Sequence, residues 1–510
     1  MSGKQTRLAP VVIGLLLGMF IAALDNTIVS TAMGSIVGDL GGLDKFVWVT
    51  SAYLVAEMAG MPIFGKLSDM YGRKRFFVLG IGLFLLGSIL CGTAQNIVQL
   101  SIYRAIQGIG GSALMPIAFT IVWDVFPPSL RAKMSGIFGA VFGLSSIFGP
   151  LLGAYITDYI NWRWVFYINV PLGLVALGLI TVFYRESLQH SAQKIDWWGA
   201  STLVSSVVSL MFALELGGNK YAWDSPQILS LFAAFGLLFV GFLYAETKAE
   251  DPIIPFQMFK RRLFAATNLV GLFYGATFLV STVYIPIYIQ GVMGGTATNS
   301  GLLLLPMMVG TTIAAPLGAQ FSSKFSYRNI MILSTAILVT GICLLGTLTT
   351  ETSRTLVTVY MVIIGLGTGA SFSVLSMAAI HNIDARQRGT ASSTNSFLRS
   401  FGMTLGITIF GVIQRNLFTD KMTASLGAAQ FGGADASSDP RGLLSPVARA
   451  LIPAPVLEKI TEALSASIAT TFLWTLVPAL IAFGFVLMMG KEKMVPEAVQ
   501  QMPPAKSVEA

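Results

Sequence analysis

Long apolar runs separated by short polar stretches make up most of the chain between residues 11 and 489. A helix needs roughly 20 mostly apolar residues to cross a lipid bilayer. Fourteen runs have that character, and they therefore predict an all-α polytopic membrane protein with fourteen transmembrane helices. The predicted spans are 11–33, 47–65, 76–94, 97–122, 134–156, 165–183, 197–216, 228–245, 264–289, 300–319, 330–349, 355–377, 391–413 and 467–489.

The composition agrees with a membrane protein and excludes an ordinary soluble domain. Hydrophobic residues make up 54% of the chain and charged residues 11%, with a mean hydropathy of +0.73. A soluble domain carries about 25% charged residues. The net charge of +8 comes from cations placed singly or in small groups between the apolar runs, which argues against a nucleic-acid partner. Cys91 and Cys343 both fall inside predicted spans, so no disulfide framework is indicated.

The distribution of lysine and arginine predicts the orientation. Of the 32 such residues, 21 fall on the side of Arg73, nine on the opposite side and two inside spans. Five of the nine lie in the single long loop 414–466, and long loops contribute little to orientation. Because short cytoplasmic loops collect lysine and arginine, we expect both termini to be cytoplasmic and this loop to be external.

Two stretches of the chain repeat each other. Residues 107–113 align with 364–370, and at the same offset Arg131 falls on Arg388. Such parallel repeats are typical of transporters with a site between two helix bundles. The predicted organisation is a six-helix bundle in 1–190, an inserted helix pair with linkers in 191–262, a second six-helix bundle in 263–490 with its external loop 414–466, and a disordered cytoplasmic tail in 491–510.

Charged residues inside the spans are the first candidates for chemistry. Asp25 and Glu57 lie within spans one and two, and a carboxylate at membrane depth is a functional-site hypothesis by default. Burial favours the neutral form of a carboxyl group, so either residue could load and release a proton. Tyr53 lies on the helix face of Glu57, and Arg104 in span four should pair with Asp25 or with backbone carbonyls of span one. Structural hydrogen bonds between spans are the alternative.

A second group of charges lies in the loop between spans two and three and at the inner end of span four. Such ion pairs are weak in water, but a set that forms in one state only can bias a conformational equilibrium. We interpret it as a gate, with a solvated, orientation-setting loop as the alternative. The members are Gly65, Asp69, Gly72, Arg73, Asp124 and Arg131.

Other candidates are weaker. Asp158 near the outer mouth could attract cations or pair with Arg163. Aromatic residues of span nine could line a drug cavity, although helical aromatics more often pack: Phe273, Tyr274, Phe278 and Tyr284. Glycine and proline interrupt span five at Gly149, Pro150 and Gly153. His190 and His381 lie in loops. There is no phosphate-binding loop, nucleophile–base arrangement or metal-ligand cluster, so we expect no cofactor, no metal and no enzymatic activity.

Taken together, these motifs resemble the fourteen-helix drug:proton antiporters of the major facilitator superfamily, of the EmrB/QacA type. The resemblance is strong in residues 20–175. It is carried by Leu24–Val29, by Trp48–Tyr53 with Pro62, Gly65, Asp69, Gly72 and Arg73, by Arg104, Gln107, Gly108 and Gly111, by Gly149, Pro150 and Gly153, and by Trp162–Gly173. The chain departs from some family members in having no Asp or Glu in spans ten and thirteen, and Glu57 lies outside the general motif.

The resemblance implies a monomer in the lipid bilayer of a bacterial plasma membrane. It would use the proton gradient to export amphipathic, cationic compounds by alternating access. Small molecules and protons would be its partners, and no cofactor would be needed. Two other functions fit the same residues: proton-coupled export of a metabolite, lipid or inorganic cation, and a membrane sensor that transports nothing. Proton-coupled efflux from vesicles separates the sensor from both exporters.

Overall fold

The structure is a computed structural model and describes residues 8–41, 47–186, 195–218, 220–295, 297–426 and 452–494. Within these ranges the regular structure is helical. The helices are α1 Leu8–Leu40, α2 Val47–Tyr71, α3 Arg73–Thr93, α4 Ile97–Val125, α5 Pro128–Tyr159, α6 Trp164–Tyr167, α7 Asn169–Phe183, α8 Trp197–Leu216, α9 Pro226–Lys248, α10 Phe256–Phe259, α11 Arg262–Gly291, α12 Ala297–Phe321, α13 Tyr327–Leu345, α14 Arg354–Ile380, α15 Arg388–Leu426, α16 Ala454–Trp474 and α17 Leu476–Met488.

The helices account for all fourteen predicted spans. In the described part of the chain, thirteen helical segments are long and apolar enough to cross a membrane; α6 with α7, and α16 with α17, each form one of them. The remaining predicted span is α2, a helix of 25 residues that carries Glu57 within it. The prediction of an all-α polytopic protein is therefore confirmed.

Side-chain caps fix where many helices begin. A polar side chain just before a helix accepts a hydrogen bond from one of the first free backbone N–H groups. Asn96 caps α4 by accepting from Gln99 N, and serine does the same for α9 at Ser225, with Pro226 as the first helical residue. Ser326 and Ser353 cap α13 and α14. The polar breaks between apolar runs thus set the helix ends.

The helices pack as two bundles and an additional pair. In the first bundle, α1–α7, helix α1 packs on α5 and α7, and α4 packs on α2 and α3. In the second bundle, α11–α17, helix α11 packs on α15 and α17, and α14 packs on α12 and α13. Helices α8 and α9 pack on each other, and α8 also packs on α2. The bundles meet where α5 crosses α12 and where α2 crosses α15.

The crossing of α2 and α15 lies at what we call the basic side, the end of the molecule where α2 ends and α3 begins. A Cβ added to Gly65 of α2 would collide with Ser393 and would lie 2.8 Å from the carbonyl oxygen of Gly389. The two backbones are in direct contact because residue 65 has no side chain. The bundles are thus closed against each other toward the basic side.

Helix α15 continues beyond its predicted span. The apolar run ends near 413, but the helix extends to Leu426. Phe418 and Met422, one turn apart, are buried in the same core cluster as Leu464 of α16, so the extension is amphipathic rather than apolar. Of the predicted external loop, residues 427–451 lie outside the described residues.

The start of the predicted tail is hydrogen-bonded to the segment between α12 and α13. Tyr327 N donates a hydrogen bond to Glu492 O at 3.0 Å, and Met494 N donates to Ser322 O at 2.9 Å. The predicted disorder of the tail is therefore wrong for residues 491–494, because these backbone groups satisfy the ends of α12 and α13. Residues 495–510 lie outside the described part of the chain.

Candidate functional site

Asp25 lies at the centre of a buried polar network in the first bundle. The residue has no solvent exposure. Its carboxylate forms an ion pair with Arg104 of α4 and accepts hydrogen bonds from Gln107 Nε2 at 2.8 Å and from Asn169 Nδ2 at 3.0 Å. Arg104 is thus paired with one of the partners expected from the sequence, and the two charges balance each other.

The network extends to two more helices of the bundle. Arg104 Nε donates to the carbonyl oxygen of Val49 at 3.2 Å, and its guanidinium lies 4.1 Å from the centre of the Tyr53 ring, both in α2. Ser88 of α3 accepts hydrogen bonds from Gln107 and from Asn169. Five helices are joined through a charged pair whose polar neighbours are largely satisfied, which is the condition under which a buried ion pair is tolerated.

Ser88 and Asn169 were missed by the sequence analysis. Single uncharged polar residues in a transmembrane helix are a weak signal, because serine often bonds to its own helix instead. They could have been found by counting hydrogen-bonding groups, because Asp25 and Arg104 together need more hydrogen-bond partners than they can give each other. Neutral polar side chains on neighbouring spans are the groups that can provide the remaining hydrogen bonds.

Glu57 is in a different environment. It lies midway along α2, keeps part of its surface exposed and accepts a hydrogen bond from Asn26 of α1. A Cβ on Gly111 of α4 would lie 3.8 Å from the carboxylate and 2.7 Å from the hydroxyl of Tyr53, so the glycine leaves space beside both groups. That hydroxyl is buried without a hydrogen-bond partner in the described structure. No ion pair of Glu57 occurs among the described residues, which distinguishes it from Asp25.

Asp69 joins the two bundles at the basic side. Its carboxylate accepts hydrogen bonds from Gly389 N at 2.8 Å, from Thr390 N at 2.7 Å and from Thr390 Oγ1 at 3.0 Å. The acceptor belongs to α2 and all three donors belong to the first turn of α15. A carboxylate is a favoured ligand of a helix N-terminus, because the free N–H groups there carry partial positive charge.

Arg73 and Asp124 extend this contact. Arg73 forms ion pairs with Asp69, at 3.3 Å, and with Asp124. It also donates a hydrogen bond to the carbonyl oxygen of Ala385, which lies just before α15 in the second half of the chain. Arg388 of α15 donates to Asp124 at 3.0 Å. Gly72 between the helices has φ +113°, a conformation that other residues rarely adopt. The predicted gate residues Asp69, Arg73 and Asp124 are thus brought together across the bundle interface.

Arg131 occupies a neighbouring position. Its Nε donates to Phe126 O at 2.9 Å, and its guanidinium lies 5.1 Å from the Trp123 ring. Arg388, which the repeat aligns with Arg131, is the residue that reaches Asp124 from the opposite bundle. The sequence analysis noted Arg388 for the repeat only and did not assign it to the gate.

The glycines of span five contact α1 inside the first bundle. A Cβ on Gly149 would lie 3.2 Å from Ile28 N, and one on Gly153 would lie 2.7 Å from Ile28 O. Pro150 lies inside α5 between them. These residues therefore allow close packing of α1 and α5 beside the helix segment that carries Asp25.

The aromatic candidates of α11 separate into two groups. Phe273 stacks on Phe485 of α17, and Tyr274 shares a hydrogen bond with Thr335 of α13 at 2.8 Å, while Tyr284 lies in the core of the second bundle. The cavity role predicted for Phe273 and Tyr274 is wrong in this structure, because their positions around the helix direct them into the second bundle. Phe278 lies 6.2 Å from Phe142 of α5, ring centre to ring centre, and is therefore at the bundle interface.

Asp158 does not pair with Arg163. It lies exposed near the end of α5, whereas Arg163 binds Asp39 of α1 at 2.8 Å and Trp162 Nε1 donates to the same carboxylate at 2.9 Å. The sequence order favoured the nearer acid, but the fold returns the end of α1 to this loop. Asp158 is separate from the Asp25 network.

His381 has a packing role in the structure. Tyr327 Oη lies 3.2 Å from His381 Nδ1 beside the bound segment 491–494. Burial lowers the pKa of this imidazole, and the nearby carboxylate of Glu492 opposes that shift. The residue is thus part of the contact that holds residues 491–494 against α13.

Arg399 is the second arginine within the predicted spans. It belongs to α15, is 8% exposed, and its guanidinium carbon lies 5.0 Å from the centre of the Phe372 ring. Its Nη1 has no hydrogen-bond partner among the described residues. The sequence analysis counted it as one of the two cations inside spans and assigned it no role.

Two helix bundles that meet at a charged contact and enclose ionisable groups at membrane depth define a membrane transport protein rather than an enzyme. The sequence matches the profile of the Major Facilitator Superfamily over residues 15–407. The chain belongs to this superfamily, and it is a multi-pass membrane transporter.

Several relatives match over nearly their whole length. The chain is 54% identical to Multidrug resistance protein 3 of Bacillus subtilis over 497 residues, covering 97% of each chain. It is 40% identical to the multidrug transporter protein MdtP of the same organism, covering 91% of this chain and 89% of the relative. It is 32% identical to the MFS-type efflux pump MFS1 of Trichophyton rubrum, covering 95% and 91%.

Solved structures support the fold. The proton:xylose symporter XylE superposes with a TM-score of 0.60 at 14% identity, covering 96% of this chain and 98% of that chain. The human organic anion transporter MFSD10 superposes with a TM-score of 0.59 at 15% identity, covering 94% and 100%. At this level of identity the likeness concerns the fold alone.

Proposed function

We propose that the protein is a multidrug efflux transporter that exports amphipathic, cationic compounds in exchange for protons. The observation that carries this proposal is the environment of Glu57, a partly buried acidic residue midway along α2 that forms no ion pair among the described residues. The two Bacillus subtilis relatives, at 54% and 40% identity, are named as multidrug proteins, and this supports drugs as the class of substrate.

The exchange follows from competition for one carboxylate. A deprotonated Glu57 attracts a cationic drug, whereas a protonated Glu57 is neutral and releases it. Asp25 has a supporting role in this scheme, because Arg104 already balances its charge. Among the two acids predicted to carry the proton, the geometry favours Glu57 for loading and Asp25 for holding α1 in place.

Alternating access needs a gate that forms in one state only. With the basic side facing the cytoplasm, the contacts of Asp69 and Arg73 with the second bundle close the cytoplasmic entrance. The described structure would then be an outward-facing state, from which drug leaves and a proton enters. Breaking these contacts opens the entrance from the cytoplasm.

This mechanism assumes a monomer in a bacterial plasma membrane, driven by the proton gradient without a cofactor, with both termini in the cytoplasm. The orientation is tested with impermeant thiol labelling of intact cells after replacement of exposed Cys343 by serine. Ser437→Cys should label at once. Lys324→Cys at the basic side should label only after permeabilisation. The reverse pattern would invert the orientation.

Transport itself is tested in inside-out vesicles. An imposed proton gradient, acidic inside, should drive accumulation of a permanently charged lipophilic dye, and drug accumulation should release protons from the vesicles. Glu57→Gln should abolish the dependence on the gradient while leaving the protein in the membrane. Gradient-driven movement of inorganic cations or lipid without dye would support another cargo. If none of these compounds is transported, the protein is not a drug:proton antiporter.

A further inference from the structure

The second bundle contains a buried positive charge that its own helices do not neutralise. In the described helices of the second bundle, the acids are Asp420 near the far end of α15 and Glu458 and Glu462 near the start of α16, where Lys459 donates a hydrogen bond to Ser425 O at that same end. Arg399 therefore has no carboxylate beside it in that bundle, and its Nη1 lacks any hydrogen-bond acceptor. An unpaired arginine at membrane depth is costly and marks a site with a function.

The position of Arg399 is at the bundle interface. Its guanidinium lies on the ring of Phe372, and that ring stacks on Phe142 of the first bundle with 4.7 Å between the ring centres. Phe278 closes the same aromatic group at 5.5 Å from Phe372. Arginine on an aromatic ring keeps its hydrogen-bonding edge free for a planar anion.

Arg399 and Glu57 are at similar depths on opposite bundles. Helices α2 and α15 touch at Gly65 and Ser393. At a rise of 1.5 Å per residue, Glu57 lies about 12 Å beyond that contact along α2, and Arg399 lies about 9 Å beyond it along α15. No ion pair joins the two residues in the described structure. The two facing bundles therefore carry an acidic residue and a cation at similar depths.

We infer that Arg399 is an anion-binding subsite of the transport cavity, which holds the carboxylate of zwitterionic amphipathic substrates while Glu57 holds their cationic group. This inference rests on the proposed efflux function and extends its substrate class from cations to zwitterions. Guanidinium binds carboxylate through two parallel hydrogen bonds, which lysine cannot reproduce. The free Nη1 is one of the two donors that such binding requires.

The test uses a matched pair of probes: a rhodamine dye with a free benzoate, and the methyl ester of the same dye, which is cationic only. Gradient-driven uptake of both is measured in inside-out vesicles for the wild type, Arg399→Gln and Arg399→Lys. The wild type should transport both dyes. Arg399→Gln should lower uptake of the free acid by about tenfold or more, the loss expected for a charge-assisted hydrogen-bonded pair. The ester should be transported as by the wild type.

Transport of the ester serves as the folding control for each variant. Arg399→Lys should transport the free acid better than Arg399→Gln but less than the wild type, because lysine keeps the charge without the planar geometry of the guanidinium. Equal loss of both dyes in Arg399→Gln, or no loss of either, would assign Arg399 to packing and overturn the inference.

Two further outcomes separate the possible failures. A wild type that transports the ester and not the free acid would contradict the zwitterion subsite and leave the proposed efflux function intact. A wild type that transports neither dye would contradict the efflux function and this inference with it. Ester transport that depends on chloride in the wild type and not in Arg399→Gln would assign the site to a free halide and overturn the inference.

Discussion

The two arginines buried within the predicted spans have opposite environments. Arg104 in the first bundle has an ion pair with Asp25, a hydrogen bond to Val49 O and the face of Tyr53. Arg399 in the second bundle has the face of Phe372 and an Nη1 without a partner. The same side chain at membrane depth is in one case part of the scaffold and in the other a group still available to a ligand.

The difference also divides the two bundles by task. At membrane depth, Asp25 and Arg104 of the first bundle balance each other within it, whereas Glu57 forms no ion pair among the described residues. The second bundle contributes aromatic rings and one cation. A substrate between the bundles would therefore contact Glu57 on the first bundle, whose other charges at this depth are paired. On the second bundle it would contact Arg399, whose charge needs a counterion. Each of the following predictions tests one side of this comparison.

The largest effect should follow from Asp25→Asn. Removal of one partner of a buried ion pair leaves an uncompensated charge and costs about 3–5 kcal/mol. We expect a marked loss of thermal stability of the purified protein, measured as a lower midpoint temperature of unfolding in detergent. The double variant Asp25→Asn with Arg104→Gln should recover part of the loss, since it removes both charges. Wild-type stability of the single variant would show that the network is not structural.

A smaller effect should follow from Asp69→Asn, which tests the contact between the bundles. The variant weakens up to three hydrogen bonds to the start of α15 and should shift the equilibrium toward the state open at the basic side by about 1–3 kcal/mol. Spin labels on exposed Lys133→Cys and Lys324→Cys should report longer distances. Asp384→Asn is the matched control, because it removes the negative charge of a carboxylate that accepts from Arg386 N within the second half only.

The gate would be refuted if Asp69→Asn and Asp384→Asn gave the same distance distribution as the wild type. In that case the contacts of Asp69 with Gly389 and Thr390 would serve orientation and packing only. A shift in both variants would instead show that the whole segment before α15 is sensitive to charge.

The smallest effect is expected for Asp39→Asn. The Asp39 side chain is 49% exposed and its partner Arg163 is 32% exposed, and ion pairs this exposed to water contribute little to stability. The unfolding midpoint should therefore remain near that of the wild type, in contrast to Asp25→Asn. A loss as large as that of Asp25→Asn would mean that exposure does not distinguish the two pairs.

The fold could be predicted from the sequence because apolar length alone determines which segments cross a membrane. Asp25, Glu57 and Arg104 were also identifiable, since charge within an apolar run is a rare event. Partners were harder to predict. Arg163 pairs with Asp39, which is 124 positions away, rather than with Asp158, because no local pattern encodes where the end of α1 lies.

The roles of Phe273 and Tyr274 could not be obtained from sequence for a related reason. Consecutive residues of a helix point in different directions, and the run of aromatics in α11 does not reveal which direction faces the other bundle. Phe372 of α14 and Phe142 of α5, which do meet at the interface, stand singly in apolar runs. Only the packing of the two bundles distinguishes them from core residues.

The most direct test of the account measures how pH changes the binding of a permanently cationic drug to the purified protein. Protons compete with the drug for Glu57, so wild-type affinity should fall as the pH is lowered between about pH 8 and pH 6. Glu57→Gln should bind more weakly at the higher pH and show no such dependence, while Glu458→Gln, an exposed acid of α16, should behave as the wild type. The same pH dependence in Glu57→Gln as in the wild type would contradict the assignment of the exchanged proton to Glu57.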